Sequence, residues 1–179
     1  MEFKKHDTKI IILSGKAQSG KNETANIMKK YLEKNNKKTV IISYAKYLKD
    51  YAQEITKWNG RECTKPRELL QQLGVELIKN QIDSNMLINR IKEDIEVYKY
   101  FFDVIIISDA RFKEEIECVK EKTVIKIEGK ENKLTTDEKK HITETALDDY
   151  NKYDYIIENK TTKQNLKDQI KNIMEEIQW

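Results

Sequence analysis

The chain is poor in the residues that staple, kink or anchor a fold. Its two cysteines, Cys63 and Cys118, have neither the spacing of metal ligands nor that of a disulfide framework, which leaves a reducing cytoplasm as the expected setting and packing as their expected role. The single proline, Pro66, falls where it can open a helix rather than break one. No apolar run reaches membrane length, no segment at the start has the make-up of a signal peptide, and no basic block is long enough to act as a nucleic-acid arm. Neither a membrane nor a nucleic acid is therefore an expected partner. The 34 basic and 31 acidic residues nearly cancel to a net charge of +3, which suits small anionic substrates. No internal repeat or low-complexity linker interrupts the 179 residues, so one domain is expected. Mean hydropathy is only −0.80, yet periodic apolar segments recur throughout. The charge belongs on helix surfaces rather than in a disordered tail.

What is present is concentrated in one stretch. Ile10-Ile11-Ile12-Leu13 reads as a buried strand and feeds directly into Ser14-Gly15-Lys16-Ala17-Gln18-Ser19-Gly20-Lys21-Asn22, a G-x-x-x-x-G-K loop. The two glycines let the backbone wrap around phosphate oxygens, and Lys21 opens the following helix with its ammonium on the same anion. Gly15, Lys16, Ser19, Gly20, Lys21, Asn22 and Glu23 are the expected contacts of a donor phosphate chain. The position after the lysine usually carries a Ser or Thr whose hydroxyl meets Mg²⁺; here it is Asn22, whose amide oxygen could serve directly or through water, while Thr24 comes too late for that geometry.

The rest of the chain alternates strands and helices. Strands are predicted at about 9–14, 39–44, 103–109, 123–127 and 153–158, and amphipathic helices at about 20–35 and after Thr161, with Thr161-x-x-Gln164 as the cap of the last. This predicts an α/β fold of three layers, a five-stranded parallel sheet between helices, for which the order 2-3-1-4-5 is expected by analogy. Between strands two and three lie three helical stretches, about 46–57, 66–80 and 84–100. An insertion of that size, 45–102, exceeds a simple crossover and is read as the acceptor-binding region. Residues 129–141 are Lys-rich and aperiodic and a helix is predicted at about 143–150; the segment 129–147 suits a cover over phosphates or an ordinary surface loop.

Asp109 ends the third strand, an unbroken β-branched run, and so emerges at the carboxyl edge of the sheet, where open α/β folds bind ligands. It is the expected partner of Mg²⁺ through water, or of the acceptor. The chain has only four arginines, Arg61, Arg67, Arg90 and Arg111, and of these Arg67 and Arg111 are placed for bidentate contact with phosphate. Phosphoryl transfer needs a cradle, a metal, alignment and charge neutralisation, and Lys21, Asp109 and Arg111 are the expected reaction-centre residues. His141 and Glu144 could pair as acid and base on paper, but this chemistry does not require them and they are given no catalytic role. Tyr44, Tyr47, Tyr51 and Trp58 could stack on a base, or belong to the core.

With these residues in hand the chain resembles the deoxynucleoside monophosphate kinase family of P-loop kinases over nearly its whole length. The resemblance rests on the phosphate loop, on Tyr44-Ala45-x-x-Leu48-Lys49, on Pro66-Arg67-Glu68-Leu69-Leu70-Gln71-Gln72-Leu73-Gly74, on Ser108-Asp109-x-Arg111-Phe112, on His141-x-Thr143-Glu144-x-x-Leu147-Asp148 and on Ile157-x-Asn159. It implies a single kinase domain over 1–179 that moves the ATP γ-phosphate to a nucleoside 5′-monophosphate with Mg²⁺ between the phosphates. By position it implies Arg67 on the acceptor phosphate with Lys79 and Tyr44 nearby, Asp109 and Arg111 at the reaction centre, and Asn159 near the donor adenine. A homodimer stays open as an assembly. Two departures stand out: lysines fill the cover segment where arginine is usual, and Lys79 replaces a common arginine. Animal-type phosphomevalonate kinases are similar in the S-G-K-x-x-S-G-K loop, the S-D-x-R strand end and the I-E-N turn, so a small-molecule phosphate kinase is the alternative. Dephospho-coenzyme A kinase fits less well, lacking a match after strand two. An inactive nucleotide-binding module is the non-enzyme reading.

Overall fold

The structure, a computed structural model, describes residues 3–130, 135 and 139–177. Five strands, β1 (Lys9–Ser14), β2 (Thr39–Ile42), β3 (Val104–Ala110), β4 (Thr123–Gly129) and β5 (Tyr155–Asn159), form one sheet in the order β2-β3-β1-β4-β5. Every neighbouring pair is parallel, with Ile11 opposite Ile106 on one side and Thr123 on the other. The expected architecture and strand order are both found.

The reason lies in the isoleucine-rich runs. In a strand covered on both faces, successive side chains enter opposite layers. Ile11, Leu13, Val104, Ile106, Ile125 and Ile127 pack against α1 (Lys21–Lys34) and the last helix, while Ile10, Ile12, Ile105, Ile107 and Val124 pack against Ile88, Ile91 and Ile95 of the helix Met86–Tyr98. Ile12, Leu13 and Ile105–Ile107 are fully buried. Full burial of each such side chain contributes about 1.5–3 kcal/mol, which fixes the strand ends and the loops that leave them.

The insertion is built from α2 (Ala45–Thr56), α3 (Arg67–Gln71) and α4 (Met86–Tyr98). Past Gln71 the α3 helix widens to five-residue hydrogen-bond spacing over Gln72–Ile82. Such widened turns are uncommon and collect at functional sites; here Gln71, Gly74 and Val75 front a cavity. The insertion has its own small core of Ala52, Leu70 and Leu73, against which Leu48, Tyr51 and Trp58 pack.

Short α5 (Lys113–Glu117) follows β3, and α6 (Ile142–Thr145) is shorter than the helix expected over 143–150. The segment expected as a cover falls in part on residues 131–134 and 136–138, outside the described residues. α7 (Lys163–Glu176) is capped by Thr162, whose hydroxyl accepts from Asn165 N–H at 3.2 Å. The cap therefore sits one residue beyond the expected Thr161, because the chain runs on through Asn159 in β5 before it turns. Among the described residues, no helix is long and apolar enough to cross a membrane.

Candidate active site

The loops after β1, β3 and β4 meet at the carboxyl edge of the sheet. The loop after β1 takes its shape from two left-handed glycines. Gly15 has φ +148° and lies so close to Ile127 O that a β-carbon would collide with it; Gly20 has φ +94° and lies equally close to Asn159 Nδ2. Only glycine meets both demands, which leaves the loop amides free to turn inward. Asn159 also donates from Nδ2 to Ser19 O at 3.0 Å. The side chain placed near the donor adenine by resemblance thus braces the loop from β5.

Lys21 is 7 % exposed, and its ammonium donates to Gly15 O at 2.6 Å and Lys16 O at 2.7 Å. Burial first, and then the Arg111 guanidinium, push it down to about 7, against smaller upward pulls from Glu144 and Asp109. Beneath the same loop the hydroxyls of Ser14, Ser19 and Thr24 are buried with no hydrogen-bond partner among the described residues. Unpaired buried donors, a cation below its ordinary pKa and a loop that admits no β-carbon together fit an anionic phosphate chain. Lys16 reaches outward to Asp148 at 2.8 Å and Glu23 to Lys163 at 2.7 Å, while Asn22 is exposed with its carbonyl taken by Asn26.

Asp109 lies where the strand pattern puts it, and its two oxygens accept from Tyr44 N–H at 2.9 Å and Ala45 N–H at 3.0 Å. It therefore ties the end of β3 to the start of α2, satisfying amides that a helix start leaves open. Each carboxylate oxygen keeps a further lone pair for a water or a metal-bound water. Among the described residues, no group of three or more His, Cys, Asp or Glu could hold a metal by itself. Sparse oxygen donors of the type of Asn22 and Asp109 fit Mg²⁺, which keeps several waters and leans on substrate phosphates.

Arg111 donates to the Thr143 carbonyl at 3.2 Å and to Glu144 Oε1. Glu144 in turn accepts from Ala17 N–H at 2.7 Å through Oε2. The residue given no role from sequence thus links the phosphate loop to the arginine just past β3. Its neighbour His141 caps α6, with Nδ1 accepting from Thr143 N–H at 3.3 Å.

Two cavities open on either side of this link. One, of about 460 Å³, runs from the phosphate loop over the end of β4, past Lys126, Lys130 and Lys160. The other, of about 150 Å³, lies between the sheet edge and the insertion, with apolar walls from Leu48, Leu70, Leu87 and Phe112 and cations at Lys65, Arg67 and Arg111. Ala17, Arg111, Thr143 and Glu144 line both. Arg67 and Lys65 share Glu62, each at 3.2 Å. Burial lowers the Lys65 pKa, partly offset by Glu62.

Other expected residues sit behind the walls. Tyr44 is buried, with its hydroxyl donating to Glu115 O at 2.7 Å, and burial raises its pKa; the residue still lines the smaller cavity. Lys79 stands 3.6 Å over the Phe112 ring and supports that wall from outside. Glu115, unmarked by the sequence reading, accepts from Arg111 N–H at 2.6 Å and Phe112 N–H at 3.1 Å, and burial pushes it up to about 7. Lys65 was equally unmarked. Its only sequence signal is its place beside Pro66-Arg67.

A family model described as deoxynucleotide monophosphate kinase matches residues 31–170. The match takes in Arg67, Asp109, Arg111, Glu144 and Asn159 and begins beyond the phosphate loop. No curated protein matches the chain. Among solved structures, the APS kinase of Mycobacterium tuberculosis is 9 % identical with a TM-score of 0.52, over 95 % of this chain and 96 % of that one. A shikimate kinase from Acinetobacter baumannii, in complex with shikimate, is 11 % identical with a TM-score of 0.51, over 94 % and 92 %. At these identities the likeness is one of fold.

Proposed function

The chain belongs to the deoxynucleotide monophosphate kinase family, and from that premise we propose that it transfers the γ-phosphate of ATP to the 5′-phosphate of a deoxynucleoside or nucleoside monophosphate. The observation that carries this reading is the pair of cavities that meet at Ala17, Arg111, Thr143 and Glu144. A phosphotransferase needs a donor and an acceptor brought to one point from opposite sides, with cations at that point.

In this reading the larger cavity and the loop Gly15–Lys21 take the donor, with backbone amides and Lys21 on its phosphates. The insertion 45–102 takes the acceptor, with Arg67 and Lys65 on its phosphate and the apolar walls around Phe112 and Leu70 against its base. Arg111 stands between them, typed to share oxygens of both phosphates as charge redistributes. Lys21 below its ordinary pKa regains a full charge when a phosphate replaces the two loop carbonyls, so donor binding at pH 8 takes up protons. Mg²⁺, reached from Asn22 and through water from Asp109, would neutralise donor phosphate charge when bound. The partners in this reading are small molecules.

The test is ADP release with ATP and Mg²⁺ against a panel of deoxynucleoside and nucleoside monophosphates plus phosphomevalonate. Turnover with one or more nucleotides is expected. Turnover with phosphomevalonate alone would keep the chemistry and replace the acceptor, and silence across the panel would overturn the reading.

A further inference from the structure

Glu144 brings a negative charge to the place where the reading above puts the donor's terminal phosphate. Its side chain is 4 % exposed. One oxygen takes the Ala17 N–H and the other takes the Arg111 guanidinium. A loop amide and a planar guanidinium are the two donor types that phosphate oxygens use. Its charge also reaches Lys21, as a phosphate's would. A second carboxylate on the same segment, Asp148, holds Lys16 of the loop at 2.8 Å. The segment 142–148 is therefore tied to the phosphate loop by two acids, one buried and one half exposed, each on a group that a polyphosphate would claim.

We propose that Glu144 is a built-in competitor of the donor phosphate, holding the Ala17 amide and the Arg111 guanidinium until a polyphosphate displaces it. This rests on the assignment of the loop Gly15–Lys21 to the donor. The physical reason is exclusion: two anions cannot share one amide proton and one guanidinium edge, and a carboxylate beside a phosphate in a buried site is repelled. Displacement then frees Arg111 for transfer only when a donor is present. The apparent donor affinity is reduced by the fraction of molecules in which Glu144 holds the site.

The experiment is calorimetric titration of the β,γ-imido analogue of ATP with Mg²⁺ into the wild type, Glu144→Gln and Asp148→Asn. Glu144→Gln keeps an oxygen for the Ala17 amide and removes the charge, and it is expected to lower the Kd by roughly fivefold or more. Asp148→Asn is at the surface and leaves the core untouched; it is expected to shift Kd the same way by about twofold. A strut that merely holds the loop in shape predicts weaker binding in Glu144→Gln, and an unchanged or raised Kd in both variants overturns the proposal. Should Glu144→Gln fail to fold, Asp148→Asn decides by the same criterion. A wild type that does not bind the analogue removes the donor assignment and the proposal together, whereas normal wild-type binding without a gain in the variants removes the competitor alone.

Discussion

The phosphate loop leaves β1, whose Ile11, Ile12 and Leu13 are 0–1 % exposed between β3 and β4, whereas the acceptor side hangs on α2 and α3, whose own core is Ala52, Leu70 and Leu73. Ile55, Leu77 and Ile82 of that insertion remain in solvent. The donor half is thus fixed by the central strands of the domain. Within the insertion α4 packs on the sheet through Ile88, Ile91 and Ile95, whereas α2 and α3 are held by a thin cluster and by the Asp109 carboxylate on the first amides of α2. Regions with few buried contacts open at lower free energy than the strands beside them. Under the proposed function the difference suits the task, since every donor would present the same phosphates, while acceptors would differ in base.

The comparison breaks most sharply at Lys21. Replacing Lys21 by Ala is expected to reduce transfer by about a thousandfold or more while leaving the circular dichroism spectrum unchanged, because the loop's shape comes from its glycines and from Asn159 rather than from the lysine. Normal turnover in this variant would remove the donor assignment. On the acceptor side, Arg67→Ala is expected to raise the KM of the nucleoside monophosphate by about tenfold or more with the KM of ATP little changed, since a charge-assisted hydrogen bond contributes about 1.5–3 kcal/mol. Equal effects on both KM values would place Arg67 at the shared centre instead.

Two stability measurements sharpen the contrast. Ile106→Ala, in the middle of β3, is expected to cost about 2–5 kcal/mol of global stability. Leu70→Ala, in the thin cluster, should cost less globally and raise hydrogen exchange mainly in 45–82, so a global loss as large as that of Ile106→Ala would show that the insertion folds as one unit with the sheet. The smallest expected effect is the pH response of the donor half. Lys21 has a folded pKa of about 7 against an ordinary 10.5, so the unfolded chain binds more protons across that window and stability rises with pH from about 7 towards 10. Melting curves at pH 7 and 9 should show a gain of a few degrees in the wild type that is absent in Lys21→Met. An equal gain in both would assign it to other groups.

Much of the donor half was legible in the sequence because its causes are local. A β-branched run, two glycines five apart and a lysine at a helix start each act within a few residues, and the buried strands Ile10–Leu13 and Val104–Ile107 followed from the apolar runs alone. The acceptor half was legible as an insertion of three helices that reads as the acceptor-binding region, but the contacts of its side chains were not. The sequence leaves Tyr44 open between a base contact and the core, and its buried hydroxyl turns to the Glu115 carbonyl. The resemblance places Lys79 near the acceptor, and its ammonium stands over the Phe112 ring. Asn159 braces Ser19. In each case a neighbour distant in sequence decided which way the side chain points.

The sequence by itself determined the parallel α/β sheet, its phosphate loop, the acid near the end of β3 and the arginine just past it, since hydrophobic periodicity and glycine conformation are properties of short segments. Only the tertiary structure decided that Glu144 meets Ala17 across 127 residues of chain, that Arg111 faces the same cavity as Lys65 and Arg67, and that Asp109 holds the start of α2. Those contacts are made by polar groups whose partners are chosen when the sheet closes and brings the ends of β1, β3 and β4 together, and no pattern in a single stretch of residues records that choice.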